Sequence, residues 1–162
     1  MITSSQTTRL QKALWENAAR PARRESVATL AHILGHPVSP DDFTSVHHFR
    51  ARMQLVPRPV LREELFPETG RDAVLTRLRE IPGVGTLSPA ELWFTRSQML
   101  GALRVSRTPT AEVVLDLLDW DEGEVWIYDG SGTLLVGVER DEDCLEPDAF
   151  FQMLYGVTTP KI

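Results

Sequence analysis

The clearest hydrophobic pattern of the chain lies in two short runs on either side of a glycine-containing turn. In Glu124–Tyr128 aliphatic and aromatic residues alternate, so that each kind lies on its own face of a strand. Thr133–Val138 continues with apolar residues on both faces, which is typical of a strand that is covered at least in part on both sides. Asp129-Gly-Ser-Gly132 and Gly123 favour tight turns between and before these runs. The pattern predicts a β-hairpin.

The preceding stretch, Ala111 to Trp120, is compatible with two structures. Alternation favours a strand, whereas apolar residues three and four apart would form one stripe of a helix. The adjacent Val113 and Val114 favour a strand, because a helix restricts their χ1 rotation. Glu112 and Asp116, four residues apart, would also repel each other on a helix. We expect a strand here, with a helix as the alternative.

The N-terminal half carries apolar residues at helical spacing. This spacing predicts helices over Thr8–Ala19 and Arg23–Leu34, separated by Pro21. Ser39-Pro-Asp-Asp42 predicts a third helix that runs towards Met53, with Ser39 as its cap. A shorter helix is predicted over Asp72–Glu80.

The remaining elements follow from proline and capping signals. Pro57 and Pro59 predict an extended segment. Ser88-Pro-Ala-Glu91 resembles a capping box and predicts a helix that includes Leu92 and Trp93. Ala102–Val105 is predicted as a strand, and Glu146-Pro-Asp-Ala149 predicts a closing C-terminal helix.

Together these elements predict a single α+β domain over residues 1–162. Its N-terminal helices would pack on an antiparallel β-sheet centred on residues 111–139, with the C-terminal helix closing the fold. A chain of 162 residues with 42% hydrophobic and 25% charged residues is typical of one soluble domain with a core of its own.

The sequence contains no signal for export or membrane insertion. Met1–Thr8 lacks the basic start and apolar run of a signal peptide, and no apolar run approaches the roughly 20 residues that span a bilayer. The single cysteine, Cys144, has no internal partner for a disulfide. We therefore expect a cytoplasmic protein with no membrane partner.

The two halves of the chain differ in charge. Residues 1–85 carry 12 basic and 9 acidic side chains, whereas residues 86–162 carry 5 basic and 14 acidic side chains. An acidic half repels nucleic acid and attracts basic surfaces. The charge pattern makes nucleic acid an unlikely partner and predicts a protein partner with a basic surface; a solvated acidic face that only aids solubility is the alternative.

No motif for catalysis or metal binding is evident. His32 and His36 are four apart, but Gly35 and Pro37 interrupt a helix there, and HILGH lacks the glutamate of the zinc-protease motif. Cys144 lies among acidic residues that disfavour its thiolate. We expect no catalytic residue, no metal and no cofactor, and therefore a protein that is not an enzyme.

Several segments distributed over most of the chain form a recognisable order. They are Leu34-Gly35, Val38, Pro40 and Asp42-Phe43; Gly85–Leu92; Val113–Asp116; Gly123–Asp129; and Asp148–Leu154. These segments resemble the SUKH superfamily, α+β proteins of which many are bacterial immunity proteins that bind and neutralise toxins. The resemblance implies a helix that ends at the Leu-Gly pair, a next helix opened by the acidic-aromatic pair, a short helix before the sheet, central strands and a closing helix.

A second, local resemblance rests on Thr95–Ser106 followed by Arg107-Thr-Pro109, and on the turn Gly130–Thr133. The first stretch is similar to the second helix and the start of the recognition helix in the winged helix of GntR-type repressors, and the turn is similar to the tip of the wing. The resemblance implies DNA binding. The acidic residues that follow Arg107 oppose it, because DNA affinity depends largely on neutralising phosphates.

The leading hypothesis is therefore a non-catalytic, immunity-like binding module that occludes a basic partner, for example a toxin enzyme. The alternative is a winged-helix transcriptional regulator. In the leading hypothesis acidic side chains steer association and aromatic side chains supply affinity. Core packing is the alternative role of the tryptophans. The residues predicted to bind the partner are Asp119, Trp120, Asp121, Glu122, Glu124, Trp126 and Asp129.

Overall fold

The predicted hairpin forms the middle of a seven-stranded antiparallel sheet in a computed structural model that describes residues 4–57 and 60–156. The strand order is β1-β4-β3-β5-β6-β7-β2, so β5 is central. The strands are β1 Phe43–Thr44, β2 Leu61–Phe66, β3 Ala90–Phe94, β4 Ala102–Val105, β5 Glu124–Asp129, β6 Leu134–Arg140 and β7 Phe151–Gly156.

Five α-helices accompany the sheet in the described part of the chain. They are α1 Ser4–Leu34, α2 Val46–Met53, α3 Arg71–Glu80, α4 Ser97–Leu100 and α5 Ala111–Asp121. Short 3₁₀ turns occupy Pro40–Asp42, Glu68–Gly70 and Pro147–Ala149. The α+β class is thus confirmed, as are the hairpin, the helix near Asp72–Glu80 and the strand Ala102–Val105. None of the described helices combines the length and apolar character needed to cross a membrane.

One face of the sheet carries the hydrophobic core. Val125 and Ile127 of β5 are fully buried there, together with Leu117 and Leu118 of α5. Leu30 of α1 and residues of α3 belong to the same cluster. Because burying a large aliphatic side chain contributes about 1.5–3 kcal/mol, this layer of helices is a main source of stability.

The strand expected for Ala111–Trp120 is wrong, because these residues belong to α5. Thr110 caps the helix by accepting a hydrogen bond from the Val113 amide. Glu112 pairs with Arg79 of α3, so the expected repulsion between Glu112 and Asp116 is offset. The χ1 restriction of valine costs only a few tenths of a kcal/mol, and the burial of the apolar stripe outweighs it.

The predicted C-terminal helix is also wrong, because only Pro147–Ala149 forms a single 3₁₀ turn and β7 follows. β7 pairs with β6 on one side and β2 on the other. Phe151 and Met153 are buried, whereas Gln152 and Leu154 are half-buried. The two-residue period of a strand governs this segment, since the backbone groups of two neighbouring strands need hydrogen-bond partners.

The predicted helix at Ser88–Glu91 is wrong as well, because β3 begins at Ala90. β3 lies between β4 and β5 and buries Leu92 and Phe94 completely in the core. Its strand structure therefore depends on partners that come later in the sequence, which a local capping signal does not indicate.

The first two predicted helices form one continuous helix, α1, that includes Pro21. Arg23 ties the region after the proline to the rest of the fold: its Nε donates to the Leu100 carbonyl at 2.8 Å, and its guanidinium pairs with Glu16 at 3.0 Å. The pair with Glu16 spans Pro21 within α1, and the bond to Leu100 is a tertiary contact; together they offset the hydrogen bond that proline removes from a helix.

The third predicted helix is shorter than expected. Ser39 caps only the 3₁₀ turn Pro40–Asp42, and α2 begins at Val46 with Ser45 as its cap. The sequence predicts an extended segment at Pro57 and Pro59, and β2 begins at Leu61. Pro59 lies outside the described residues, as does the Met1–Thr3 part of Met1–Thr8.

The segment similar to a winged helix, Thr95–Ser106, forms the short α4, a break at Gly101 and then β4. Gly101 has φ +88°, and a Cβ at this position would lie 2.1 Å from the carbonyl oxygen of Thr44. Gly130–Thr133 connects β5 and β6 at the centre of the sheet. In addition, the strand Val113–Asp116 and the closing helix that the SUKH resemblance implies are a helix and a strand here. The short helix that it implies at Gly85–Leu92 is also absent, because this segment consists of turns that lead into β3.

We expect Thr110→Ala to lower the free energy of unfolding by about 1 kcal/mol, because the α5 cap is lost. Chemical denaturation measures this change, and Thr110→Ser is the control because it keeps the accepting hydroxyl. Backbone chemical shifts should be helical from Val113 to Leu118. Strand shifts there, with equal stabilities for both variants, would contradict the assignment of α5.

Candidate partner-binding face

The face of the sheet opposite the core is only partly covered. Alternation along β5 places Glu124, Trp126 and Tyr128 on this face, away from the buried Val125 and Ile127. We call it the open face. These three residues of β5 are half-buried, whereas Val125 and Ile127 on the core face are fully buried.

Helix α2 covers one side of the open face. Its Phe49 stacks on Trp93 of β3, with 4.9 Å between ring centroids and 14° between ring planes. Phe49 also meets the ring of Tyr128 edge-on at 5.4 Å. Arg52 pairs with Glu91, a carboxylate that is otherwise buried. These contacts hold α2 on the β3 side of the open face, whereas Trp126 of β5 is only half-buried.

A cleft lies between the segment that follows α2 and the β5–β6 hairpin. Its volume is about 620 Å³, and a second cavity of about 390 Å³ shares Met53, Gln54 and Tyr128 with it, so the two form one groove. The cleft is lined mainly by apolar side chains and both aromatic residues of β5. The lining residues are Met53, Gln54, Val56, Pro57, Leu61, Trp126, Tyr128, Gly132 and Leu134.

Strand register arranges the open face in rows that cross the sheet. One row contains Trp93, Trp126, Gly137, Leu154 and Glu63. Side chains in such a row are direct neighbours on one face of the sheet. The apolar row ends at an acidic residue on the edge strand β2.

The neighbouring row contains Glu124, Glu139, Gln152 and Leu65. Glu124 and Glu139 are thus directly opposite each other, an arrangement in which like charges are destabilising. Within residues 4–57 and 60–156, neither carboxylate has a basic partner. The open face therefore carries uncompensated negative charge beside its apolar row.

Gly137 allows the indole of Trp126 to lie against the sheet. A Cβ at Gly137 would lie 2.5 Å from Cε3 of Trp126, so any larger residue would displace the ring. The ring is half-buried and lines the cleft. The ring therefore rests on the backbone of β6, and part of its surface remains accessible from the cleft.

The carboxylate of Glu124 lies at the polar edge of the indole. Glu124 Oε2 accepts a hydrogen bond from Trp126 Nε1 at 2.7 Å. Burial raises the pKa of Glu124; the Trp126 hydrogen bond opposes this effect, and the charges of Glu139 and Asp121 add to it. Burial also raises the pKa of Tyr128, with the charge of Glu124 as a further cause.

The seven predicted partner-binding residues do not share one surface. Glu124 and Trp126 lie on the open face as just described. Asp129 is in the hairpin turn, where its Oδ1 accepts from the Ser131 and Thr133 amides at 2.9 and 3.0 Å. Glu122 ends α5 in the left-handed conformation, with φ 63°.

The other three residues make structural contacts at the C-terminal end of α5. Asp119 pairs with Arg71 at 2.8 Å, and the Trp120 ring lies 4.9 Å from the Arg96 guanidinium. Asp121 is only 6% exposed, and its carboxylate accepts from three backbone amides: those of Thr95, Arg96 and Glu124, at 3.1, 3.1 and 2.9 Å.

Residues that the sequence analysis missed complete the face. Glu139 could have been found from the hairpin register, since it pairs with Glu124. Tyr128 could have been found from its alternation with Trp126. No local signal indicates Phe49 or Met53, because their proximity to β5 arises from tertiary packing. Among the described residues, no group of three or more His, Cys, Asp or Glu side chains is placed to hold a metal ion.

We expect Asp121→Ala to lower the free energy of unfolding by about 3 kcal/mol, because three backbone amides lose their charged acceptor. The matched control is Asp119→Ala, which removes an exposed ion pair and should cost less than about 1 kcal/mol. Denaturant unfolding measures both changes. Equal effects would contradict the structural role of Asp121.

We expect Glu124→Gln to raise the free energy of unfolding at neutral pH. Because the pKa of folded Glu124 is raised, the folded state loses stability relative to the unfolded chain as the pH rises through that pKa. Glutamine carries no charge and can still accept from Trp126. The gain should shrink as the pH is lowered through the folded-state pKa, measured by thermal unfolding at a series of pH values.

Glu64→Gln is the control, for which we expect a change in the free energy of unfolding of the opposite sign. Burial raises the pKa of Glu64, but hydrogen bonds from Tyr155 and Arg77 outweigh it, so the pKa lies below its ordinary value. The ionised form therefore stabilises the fold, and this contribution is lost as the pH falls through the folded-state pKa. Glu64→Gln should destabilise the protein at neutral pH. The same sign for both variants would refute the assigned environments.

Comparison with known proteins does not assign the open face a function. No protein-family model, no curated protein and no solved structure matches this chain. The groove and the unpaired carboxylates of the open face are therefore the basis for the function proposed next.

Proposed function

We propose that this protein is a non-catalytic binding module that neutralises a partner with a basic surface, for example a toxin enzyme, by occluding it. The observation that carries the proposal is the open face, where a groove lined by aromatic residues lies beside carboxylates that have no basic partner among the described residues. An apolar centre with a charged surround is the usual anatomy of a protein interface.

The placement of charge supports a basic partner. Several acidic residues of the C-terminal half are already paired, including Glu91 with Arg52 and Glu112 with Arg79. Glu124 and Glu139 form no ion pair within the described residues, and they lie on the sheet face that is only partly covered. Acidic side chains in such a position accelerate association with a basic surface and select against acidic ones.

The proposed mechanism is steric. Affinity would come from aromatic side chains at the centre of the face, as Trp and Tyr commonly supply the largest contributions in interfaces. The immunity-like role rests on this combination of chemistry and not on the SUKH resemblance. The short helix before the sheet, the strand Val113–Asp116 and the closing helix which that resemblance implies have a different secondary structure here.

DNA binding, the alternative function, has charge against it. Helix α5 carries Glu112, Asp116 and Asp119 on its exposed positions, and these would lie against phosphates if the helix entered a groove. We expect no shift of a mixed-sequence duplex by this protein in a gel at low salt. A salt-dependent shift would support the winged-helix hypothesis instead.

We expect partners captured by the immobilised protein to be basic and to dissociate as the salt concentration rises. Glu124→Gln combined with Glu139→Gln should weaken the affinity for such a partner by about tenfold, since two steering and pairing charges are removed. The measurement is the dissociation constant at several ionic strengths. A bound partner enzyme should also lose access to a macromolecular substrate.

The control is Asp143→Asn combined with Glu146→Gln, which changes the net charge equally in the exposed loop after β6. This pair should change the affinity by less than about threefold, through long-range charge alone. Partners of neutral or acidic character, or equal losses for both double variants, would refute the proposal.

A further inference from the structure

We propose that the open face recognises an arginine side chain on an extended segment of the partner, stacked on the accessible face of Trp126 and paired with Glu139 and Glu124. An apolar side chain two residues along the same segment would enter the cleft beside Tyr128. This inference rests on the proposed function and names the chemistry that its binding face recognises.

The first support is the flat platform of Trp126. Its indole rests on Gly137, where a Cβ would come within 2.5 Å of the ring. The ring is only half-buried and lines the cleft, so part of its surface is open to a ligand. The Nε1–H is held by Glu124 at 2.7 Å, which fixes the rotation of the ring. Tryptophan is the aromatic side chain that attracts cations most strongly over its face.

The second support is charge complementarity beside that platform. Glu139 is exposed and follows Gly137 by two residues, so it lies on the same face next to the indole. Glu124 accepts the indole hydrogen bond with Oε2, which leaves Oε1 available for a second donor. A guanidinium over the ring would thus meet carboxylates at its edge and relieve the repulsion between Glu124 and Glu139.

These features favour arginine over lysine. Guanidinium is planar, stacks on aromatic rings, and offers donors to two carboxylates in one plane, whereas the ammonium of lysine is a compact and strongly hydrated charge. A guanidinium can contact the ring and both acids at once, since its donors point outward from the stacked plane.

The third support is the spacing of the cleft. Trp126 and Tyr128 are two residues apart on β5, a distance of about 6.7 Å along a strand. An extended segment that lies over the open face along β5 has the same spacing between alternate residues. An arginine over Trp126 therefore places the residue two positions along at Tyr128. There the cleft of about 620 Å³ is lined by Met53, Val56 and Leu134, which suits an aliphatic side chain.

The test uses the acetylated and amidated pentapeptide Gly-Arg-Ser-Leu-Gly, with matched peptides in which citrulline or lysine replaces arginine. Citrulline keeps the shape and removes the charge. Binding is followed by NMR on the indole N–H of Trp126, assigned through Trp126→Phe. We expect the arginine peptide to shift this signal and to bind about tenfold more tightly than the citrulline peptide.

Glu139→Gln should lower the affinity for the arginine peptide by about fivefold and leave the affinity for the citrulline peptide unchanged, because the lost interaction needs both the carboxylate and the guanidinium charge. Asp143→Asn is the control and should leave both affinities unchanged. Equal affinities for the arginine and citrulline peptides, or shifts confined to residues outside the open face, would overturn the inference. So would an equal effect of Glu139→Gln on both peptides.

Two results separate this inference from the proposed function. If a basic partner is captured with salt-dependent affinity but the arginine peptide does not perturb Trp126, the arginine site is wrong and the function stands. If the peptide binds at Trp126 but captured partners are not basic, the arginine site stands and the proposed function is wrong.

Discussion

The position of the central strand depends on the hydrogen bonds that the carboxylate of Asp121 accepts. The donors are the backbone amides of Thr95 and Arg96 after β3 and of Glu124 at the start of β5, and Asp121 itself is the last residue of α5. A charged acceptor that satisfies three backbone amides at one buried point joins a helix and two strands with little freedom. The register between β3 and β5, and hence the side on which Trp126 lies, follows from this junction.

The two faces of the sheet differ in how they exclude water. The core face is closed by α5 with α1 and α3, and its residues are fully buried. The open face is covered on one side by α2, which is anchored where Phe49 stacks on Trp93. Trp126 over Gly137 covers the backbone beyond it without a helix. A sheet with one face half-covered retains apolar surface that a partner can bury, which is the physical basis for placing recognition there.

The acidic residues of the C-terminal half have two different roles that composition does not separate. Asp121 and Asp129 accept backbone hydrogen bonds, and Asp119 forms ion pairs, so these carboxylates stabilise the fold. Glu124 and Glu139 face each other with no basic partner in the described part of the chain, an arrangement that costs stability unless something else compensates for it. Paired acids maintain the structure, whereas unpaired ones remain available for a partner.

The central hairpin could be predicted from the sequence, because the alternation of β5 and the Asp129 turn are local signals. The acidic excess is also evident from the sequence, and two of the predicted binding residues, Glu124 and Trp126, lie on the open face. The elements whose apolar residues suit either a helix or a strand depend on packing against distant segments. Ala111–Asp121 became a helix because its stripe covers the core face, and Phe151–Gly156 became a strand because β6 and β2 needed a partner between them. Tertiary structure also decided the site, since Phe49 and Met53 reach β5 only through packing between segments distant in sequence, and such contacts leave no local pattern.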